Sequence, residues 1–97
     1  MKYEIILSPE AIEDLRSLKA NHRAMIRDEI ERYLRYEPIK TSKSRIKRLR
    51  GFSQPQYRLR IDEYRVFYDV MDDRVEILAI VPKSEADYWL QQVGGSL

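Results

Sequence analysis

The chain has no cysteine, so disulfide staples, thiolate metal sites and a cysteine nucleophile are excluded together. It has one histidine, His22, which leaves any Ser-His-Asp arrangement dependent on that single ring. Glycine is scarce as well. Gly51, Gly94 and Gly95 are the whole supply, and none stands between a strand and a helix at the spacing of a phosphate-cradling loop. Nucleotide cofactors are therefore not expected. Nor is a metal, because Asp69, Asp72 and Asp73 lack the spaced oxygen ligands and the glycine of a calcium loop. No apolar run approaches the roughly 20 residues of a membrane-crossing helix. The opening MKYEIILSPE turns acidic too soon for a secretory signal. The expectation is a small cytoplasmic protein with no cofactor and no membrane partner.

What is present is charge. Charged residues fill 35% of the 97 positions and hydrophobic ones 43%, the balance of a globular domain and not of a disordered chain. That length supports one modest core, so residues 1–97 are read as a single domain. The net charge of +2 hides a strong polarisation. Residues 40–65 carry nine basic side chains (Lys40, Lys43, Arg45, Lys47, Arg48, Arg50, Arg58, Arg60 and Arg65) against Asp62 and Glu63, a local +7. The other positions carry nine basic and fourteen acidic groups, or −5. Concentrated charge of one sign points to a polyanionic partner; the plainer alternative is a solvated basic loop.

The element order follows from pattern. Lys2–Leu7 reads as a strand with Ile5 and Leu7 on one face. Ser8-Pro9 opens a helix, the serine as cap and the proline at the first position, with Ala11, Ile12, Leu15 and Leu18 as its inward stripe. Ala20-Asn21-His22 breaks it, His22 being a cap or turn residue, and a second helix runs over 22–36 until Pro38. Its inward residues are Ile26, Ile30, Tyr33 and Leu34. Residues 39–51 hold little that is apolar beyond Ile46 and Leu49. Tyr57, Leu59 and Ile61 then alternate with Arg58 and Arg60, the period of a strand with one buried face. Asp62-Glu63 and Asp72-Asp73 turn the chain into strands over 64–70 and 75–81, a three-stranded meander. Ser84 to Asp87 has the outline of a capping box for a short helix with Tyr88, Trp89 and Leu90, ended by Gly94-Gly95. The class is α+β, β-α-α-β-β-β-α. A helical hairpin packs on a small, mainly antiparallel sheet, with all helices on one face.

The strand arginines are the chemically informative feature. Arg58 and Arg60 leave the same face of one strand about 7 Å apart, and Arg65 begins the next strand across a two-residue turn. Three guanidinium groups converging there suit a phosphate bound through paired donors. The alternative is that Asp62, Glu63 or Asp69 neutralises them. Tyr64 and Tyr68 read as sheet packing, of which one could stack on a base. Trp89 reads as core, and Tyr88 as either packing or site.

Taken in order, Ser8-Pro9-Glu10-Ala11, Asp14-Leu15, the hairpin ending before Pro38, Leu49-Arg50-Gly51, Tyr57-Arg58-Leu59-Arg60, Tyr64-Arg65-Val66-Phe67-Tyr68 and the terminal Tyr88 carry a likeness. The chain resembles the RelE/ParE superfamily of toxins from bacterial type II toxin–antitoxin systems, over nearly its whole length. The resemblance implies a growth-inhibiting toxin silenced by a small, acidic, partly disordered antitoxin. In the RelE branch it implies an mRNA interferase, an endoribonuclease that inhibits translation by cutting mRNA on the ribosome through 2′-hydroxyl attack on the adjacent phosphate. By position, Arg58 and Arg60 match two basic strand residues, Arg65 the arginine clamping the scissile phosphate, and Tyr88 the terminal tyrosine. Lys83 lies about one residue from a further family arginine. Lys43, Arg45, Lys47, Arg48 and Arg50 become candidates for backbone contacts to RNA. The chain also departs from the pattern: arginine stands at 58 and 60 in place of lysine, and it clamps phosphate well but is a poor base. Glu85 is a substitute base only if the fold turns it inward. Two alternatives remain open on this likeness, a ParE-like inhibitor of DNA gyrase and a catalytically weak antitoxin-binding homologue.

Overall fold

The computed structural model describes residues 1–96. Strand β1 (Glu4–Leu7) leads into helix α1 (Pro9–Arg16) and helix α2 (Ala20–Leu34). Strands β2 (Ile46–Arg48), β3 (Phe52–Gln54), β4 (Tyr57–Ile61), β5 (Tyr64–Met71) and β6 (Arg74–Pro82) follow. A 3₁₀ turn at Lys83–Glu85 leads into helix α3 (Ala86–Val93), and β7 (Gly95–Ser96) closes the described chain. Five strands form the main sheet in the order β1-β6-β5-β4-β2, with β1 parallel to β6 and the rest antiparallel. β3 and β7 form a separate two-stranded ribbon.

The meander is built by two tight connections in which Asp62 and Asp72 take positive φ, 50° and 55°. Aspartate is among the few residues besides glycine that tolerate this region, so the scarce glycines were not needed there. The period-2 alternation then sorts the sheet into two faces. Leu59, Ile61, Val66, Tyr68, Val75, Ile77 and Ile80 are buried against Ala11 and Leu15 of α1 and Ile26, Ile30 and Leu34 of α2. Tyr68 is wholly buried in this layer, donates its hydroxyl to the Pro38 carbonyl at 2.6 Å and stacks on Tyr57. Burial drives its phenol pKa far upward.

Helix α1 is fastened where the sheet is irregular. A bulge lies between Phe67 and Tyr68, which pair with Ala79 and Ile77, so Leu78 has no partner opposite. Ser8 caps α1 by accepting from the Ala11 N–H at 3.1 Å, and its hydroxyl donates to the Leu78 carbonyl at 2.9 Å. Asp14 accepts the Ile80 N–H at 2.9 Å. Burial raises the Asp14 carboxyl pKa, and that backbone donor opposes the rise. The polar groups exposed by the bulge are thus satisfied by the helix that packs over it.

Several expectations are corrected. The helices do not share one face: α3 crosses to the opposite one, where Ala86, Trp89 and Leu90 cover Phe67, Ala79 and Val81. Phe67 and Trp89 stack there with centroids 4.8 Å apart. Residues 39–51 include a strand, β2, which pairs with β4 at the sheet edge. Ile12 is 39% exposed, outside the inward stripe of α1. Helix α2 starts at Ala20, two residues before His22, whose Nδ1 is hydrogen-bonded to the Tyr64 hydroxyl at 2.9 Å. Ser84 does not cap α3; Lys83–Glu85 coil into the 3₁₀ turn and Glu85 occupies the cap position with no side-chain bond. Gly94 does end α3, but by close approach and with a negative φ. A Cβ at Gly94 would lie 2.5 Å from the Leu90 carbonyl and 2.8 Å from the Phe52 ring.

Candidate functional site

Pairing register, more than any one residue, assembles the site. Lys47 lies opposite Arg58, and Arg58 opposite Phe67. One row along, Arg60 lies opposite Arg65, and Arg65 opposite Val81. Directly opposed side chains share a face and have Cβ atoms about 5 Å apart, where like charges repel. The α3 face of the sheet therefore carries Lys47, Arg58, Arg60 and Arg65 beside the short apolar layer under α3.

Arg58 and Arg65 line a cavity of about 340 Å³. Lys47, Lys83 and Asp87 complete its polar wall, and Leu49, Phe67, Ala86 and Leu90 its apolar one. Arg65 is only 8% exposed and is fixed by Nη1 donating to the Asp62 and Tyr64 carbonyls, each at 2.9 Å. Arg58 Nε is buried with no hydrogen-bond partner. Burial lowers the Arg58 pKa first, and the charges of Arg65 and Arg60 lower it further. Arg65 is lowered by burial and then by Arg60, with Glu63 acting in the opposite direction. Both side chains keep their charge all the same, because a guanidinium is not deprotonated in proteins. The cost therefore persists as repulsion and unmet hydrogen bonding.

The alternative, that Asp62, Glu63 or Asp69 pairs with these arginines, finds no ion pair among the described residues. Asp69 is buried and accepts from the Gln54 side-chain amide and the Gln56 N–H, both at 2.7 Å. Asp62 meets Arg65 only through its backbone carbonyl. Among the described residues, no ion pair within 4.0 Å involves Arg58, Arg60 or Arg65. The unmet Arg58 Nε–H, with Arg65, Lys47 and Lys83 beside it on a solvent-open cavity, is an arrangement whose chemistry suits an anion.

The other candidates divide. Lys83 is in the cavity wall, whereas Arg60 is exposed beside it and Tyr88 is 71% exposed outside it. Glu85 lies near enough to Asp14 to raise its pKa and does not line the cavity. Of Lys43, Arg45, Lys47, Arg48 and Arg50, only Lys47 reaches this wall. Arg45 lies over the Tyr33 ring at 4.7 Å and donates to the Arg60 carbonyl. Arg48 lies over Tyr57 at 5.2 Å and donates to the Gln56 carbonyl at 2.7 Å. Lys43 and Arg50 are exposed. Tyr64 and Tyr68 belong to the hairpin face, away from the cavity. Asp87 is the residue that sequence reasoning passed over as part of a cap. Its signal was its spacing, four positions from Lys83, which returns it to the same side of a helical segment. Among the described residues no group of three or more His, Asp or Glu is placed to hold a metal ion.

Residues 5–87 match the family described as the ParE toxin of the type II toxin–antitoxin system parDE. The chain belongs to the RelE/ParE superfamily of type II toxin–antitoxin toxins. The toxin is similar to an archaeal RelE–RelB complex from Pyrococcus horikoshii OT3, at 30% identity and a TM-score of 0.64, over 86% of this chain and 97% of that one. It is similar to the RelBE2 toxin–antitoxin complex of Mycobacterium tuberculosis at 25% identity and a TM-score of 0.70, over 84% and 99%. A mutant of the E. coli toxin RelE in the free state shares the fold at 20% identity and a TM-score of 0.68, over 96% and 99%. No curated protein matches the toxin closely enough to add to this.

Proposed function

We propose that this toxin is a ribosome-dependent mRNA endonuclease that inhibits translation in the cytoplasm and is held silent by a cognate antitoxin. The observation that carries the reading is the pair Arg58 and Arg65 in the cavity wall, Arg58 with an unmet buried Nε–H and neither in an ion pair, with Lys47 and Lys83 beside them. Transesterification by a 2′-hydroxyl builds negative charge on a five-coordinate phosphorus, and fixed guanidinium donors stabilise it most when they are already desolvated. Arg65 is held by the turn carbonyls before substrate arrives, so little reorganisation is needed. As the 2′-oxygen bonds to phosphorus its proton passes to solvent water, the bond from phosphorus to the 5′-oxygen breaks to leave a 2′,3′-cyclic phosphate, and the Lys83 ammonium is the proton donor for the leaving 5′-oxygen. Tyr88, exposed beyond the cavity, is available to stack on a neighbouring base.

The antitoxin reading rests on family membership, on the charge polarisation of the chain, and on an open groove of about 540 Å³. That groove lies between β1 and the helical hairpin, with Ile5, Leu7, Ile12 and Leu15 among its walls. The family description names a ParE toxin, and this favours as a second reading the other branch of the likeness, a ParE-like inhibitor of DNA gyrase that is no nuclease. One experiment separates them. The toxin is added to programmed ribosomes, with cleavage mapped by primer extension, and in parallel to a gyrase supercoiling assay. The proposal expects codon-positioned cuts and unaffected supercoiling; uncut mRNA with inhibited supercoiling would replace it by the second reading.

A further inference from the structure

Asp87 is the one carboxylate in the cavity wall, whose other polar side chains are all cationic, and nothing in the reading above uses it. It makes no ion pair within 4.0 Å among the described residues, although Lys83 precedes it by one helical turn. Its position is shared. A second hollow of about 470 Å³, lined by Glu63, Pro82, Lys83, Ser84 and Asp87, adjoins the first. Lys83 and Asp87 border both. The arginine cavity suits an anion, and a carboxylate on its rim repels a bare one. The rim is matched only by a ligand that presents a hydrogen-bond donor directly beside its negative charge. A phosphodiester has no donor of its own, and a deoxyribose offers none next to the 3′-phosphate. A ribose does: its 2′-hydroxyl is a donor on the carbon adjacent to the one bearing the 3′-phosphate.

We propose that Asp87 accepts a hydrogen bond from the ribose 2′-hydroxyl of the nucleotide whose 3′-phosphate sits on Arg58 and Arg65. Asp87 is then a specificity-determining residue that makes the cavity select RNA over DNA. The phosphate occupies the first cavity, the sugar crosses the Lys83–Asp87 rim, and the nucleoside extends toward the hollow lined by Glu63 and Ser84. This rests on the RNA reading above and adds to it the atom that tells the two nucleic acids apart.

The test is a titration of the ¹⁵N-labelled toxin, without ribosomes, with adenosine 3′-monophosphate and with 2′-deoxyadenosine 3′-monophosphate, followed by NMR. The parent should bind the ribonucleotide about tenfold more tightly, the size expected for a hydrogen bond to a charged acceptor. In Asp87→Ala the ratio should fall to about one, chiefly because the deoxynucleotide binds better once the repelling carboxylate is gone. Asp87→Asn, which keeps an acceptor oxygen, should retain an intermediate preference. The 2′-O-methyl nucleotide should behave like the deoxy one. An unchanged ratio in folded Asp87→Ala overturns the proposal, as does a parent that binds both equally or binds neither up to millimolar concentration. Absence of mRNA cleavage alongside an intact ribose preference would unseat the nuclease reading alone.

Discussion

The two faces of one sheet differ as much as two different proteins would. The hairpin face is dry and deep: Leu59, Val66, Tyr68 and Ile77 lie beneath two helices, and the buried hydroxyl of Tyr68 has its partner. The α3 face carries a small apolar patch under one short helix and, beside it, an arginine with a buried donor left unmet. Both faces are written in the same strands, one residue out of phase. The lesson is a division of labour. Packing on the first face provides the stability that lets the second hold like charges together, at a cost that a bound anion would offset.

Neighbouring residues of β4 give the sharpest way to break this comparison. Leu59→Ala empties a fully buried site and should cost about 3 kcal/mol of stability in urea unfolding. Arg58→Met, one position away, should lower cleavage on programmed ribosomes about 100- to 1,000-fold. Its stability should hold or rise by about 1 kcal/mol, because a buried orphan donor is removed. An Arg58→Met protein as unstable as Leu59→Ala would end the division. Arg65 straddles it, since its guanidinium also ties down the Asp62 and Tyr64 carbonyls.

A smaller effect separates Lys47 from Arg48 on the edge strand β2. Lys47 faces the cavity, whereas Arg48 lies over Tyr57 and holds the Gln56 carbonyl. Lys47→Gln should flatten the dependence of log K for single-stranded RNA on log salt by about 0.7, one phosphate contact. Arg48→Gln should leave that slope in place and cost about 1 kcal/mol of stability instead. Equal flattening by both would mean that the whole basic segment tracks the RNA backbone.

How much of this was legible follows from the range of the forces involved. The alternation Tyr57-Arg58-Leu59-Arg60-Ile61 fixed strand, face and arginine cluster together, because side-chain direction in a strand is purely local. The hairpin turns were equally local. β2 was missed because a three-residue edge strand with one inward side chain, Ile46, carries no periodicity, and its pairing with β4 supplies what the sequence lacks. The crossing of α3 was missed because which face a terminal helix covers depends on the apolar patch awaiting it, here Phe67, Ala79 and Val81. The same crossing brings Lys83 and Asp87 into the cavity wall and leaves Tyr88 outside. The compositional +7 was real but not uniform in meaning: Arg45 and Arg48 spend their charge on tyrosine rings and carbonyls.

The most direct measurement follows the arginine side chains themselves. The Nε–H signals of the ¹⁵N-labelled toxin are recorded while a short unstructured RNA is added. Arg58 and Arg65 should shift together and saturably, with the buried Arg58 Nε–H moving most, while Arg45 and Arg48 stay in place. Movement of Arg45 and Arg48 with Arg58 and Arg65 unperturbed would put the anion on the other side of the sheet and contradict that expectation.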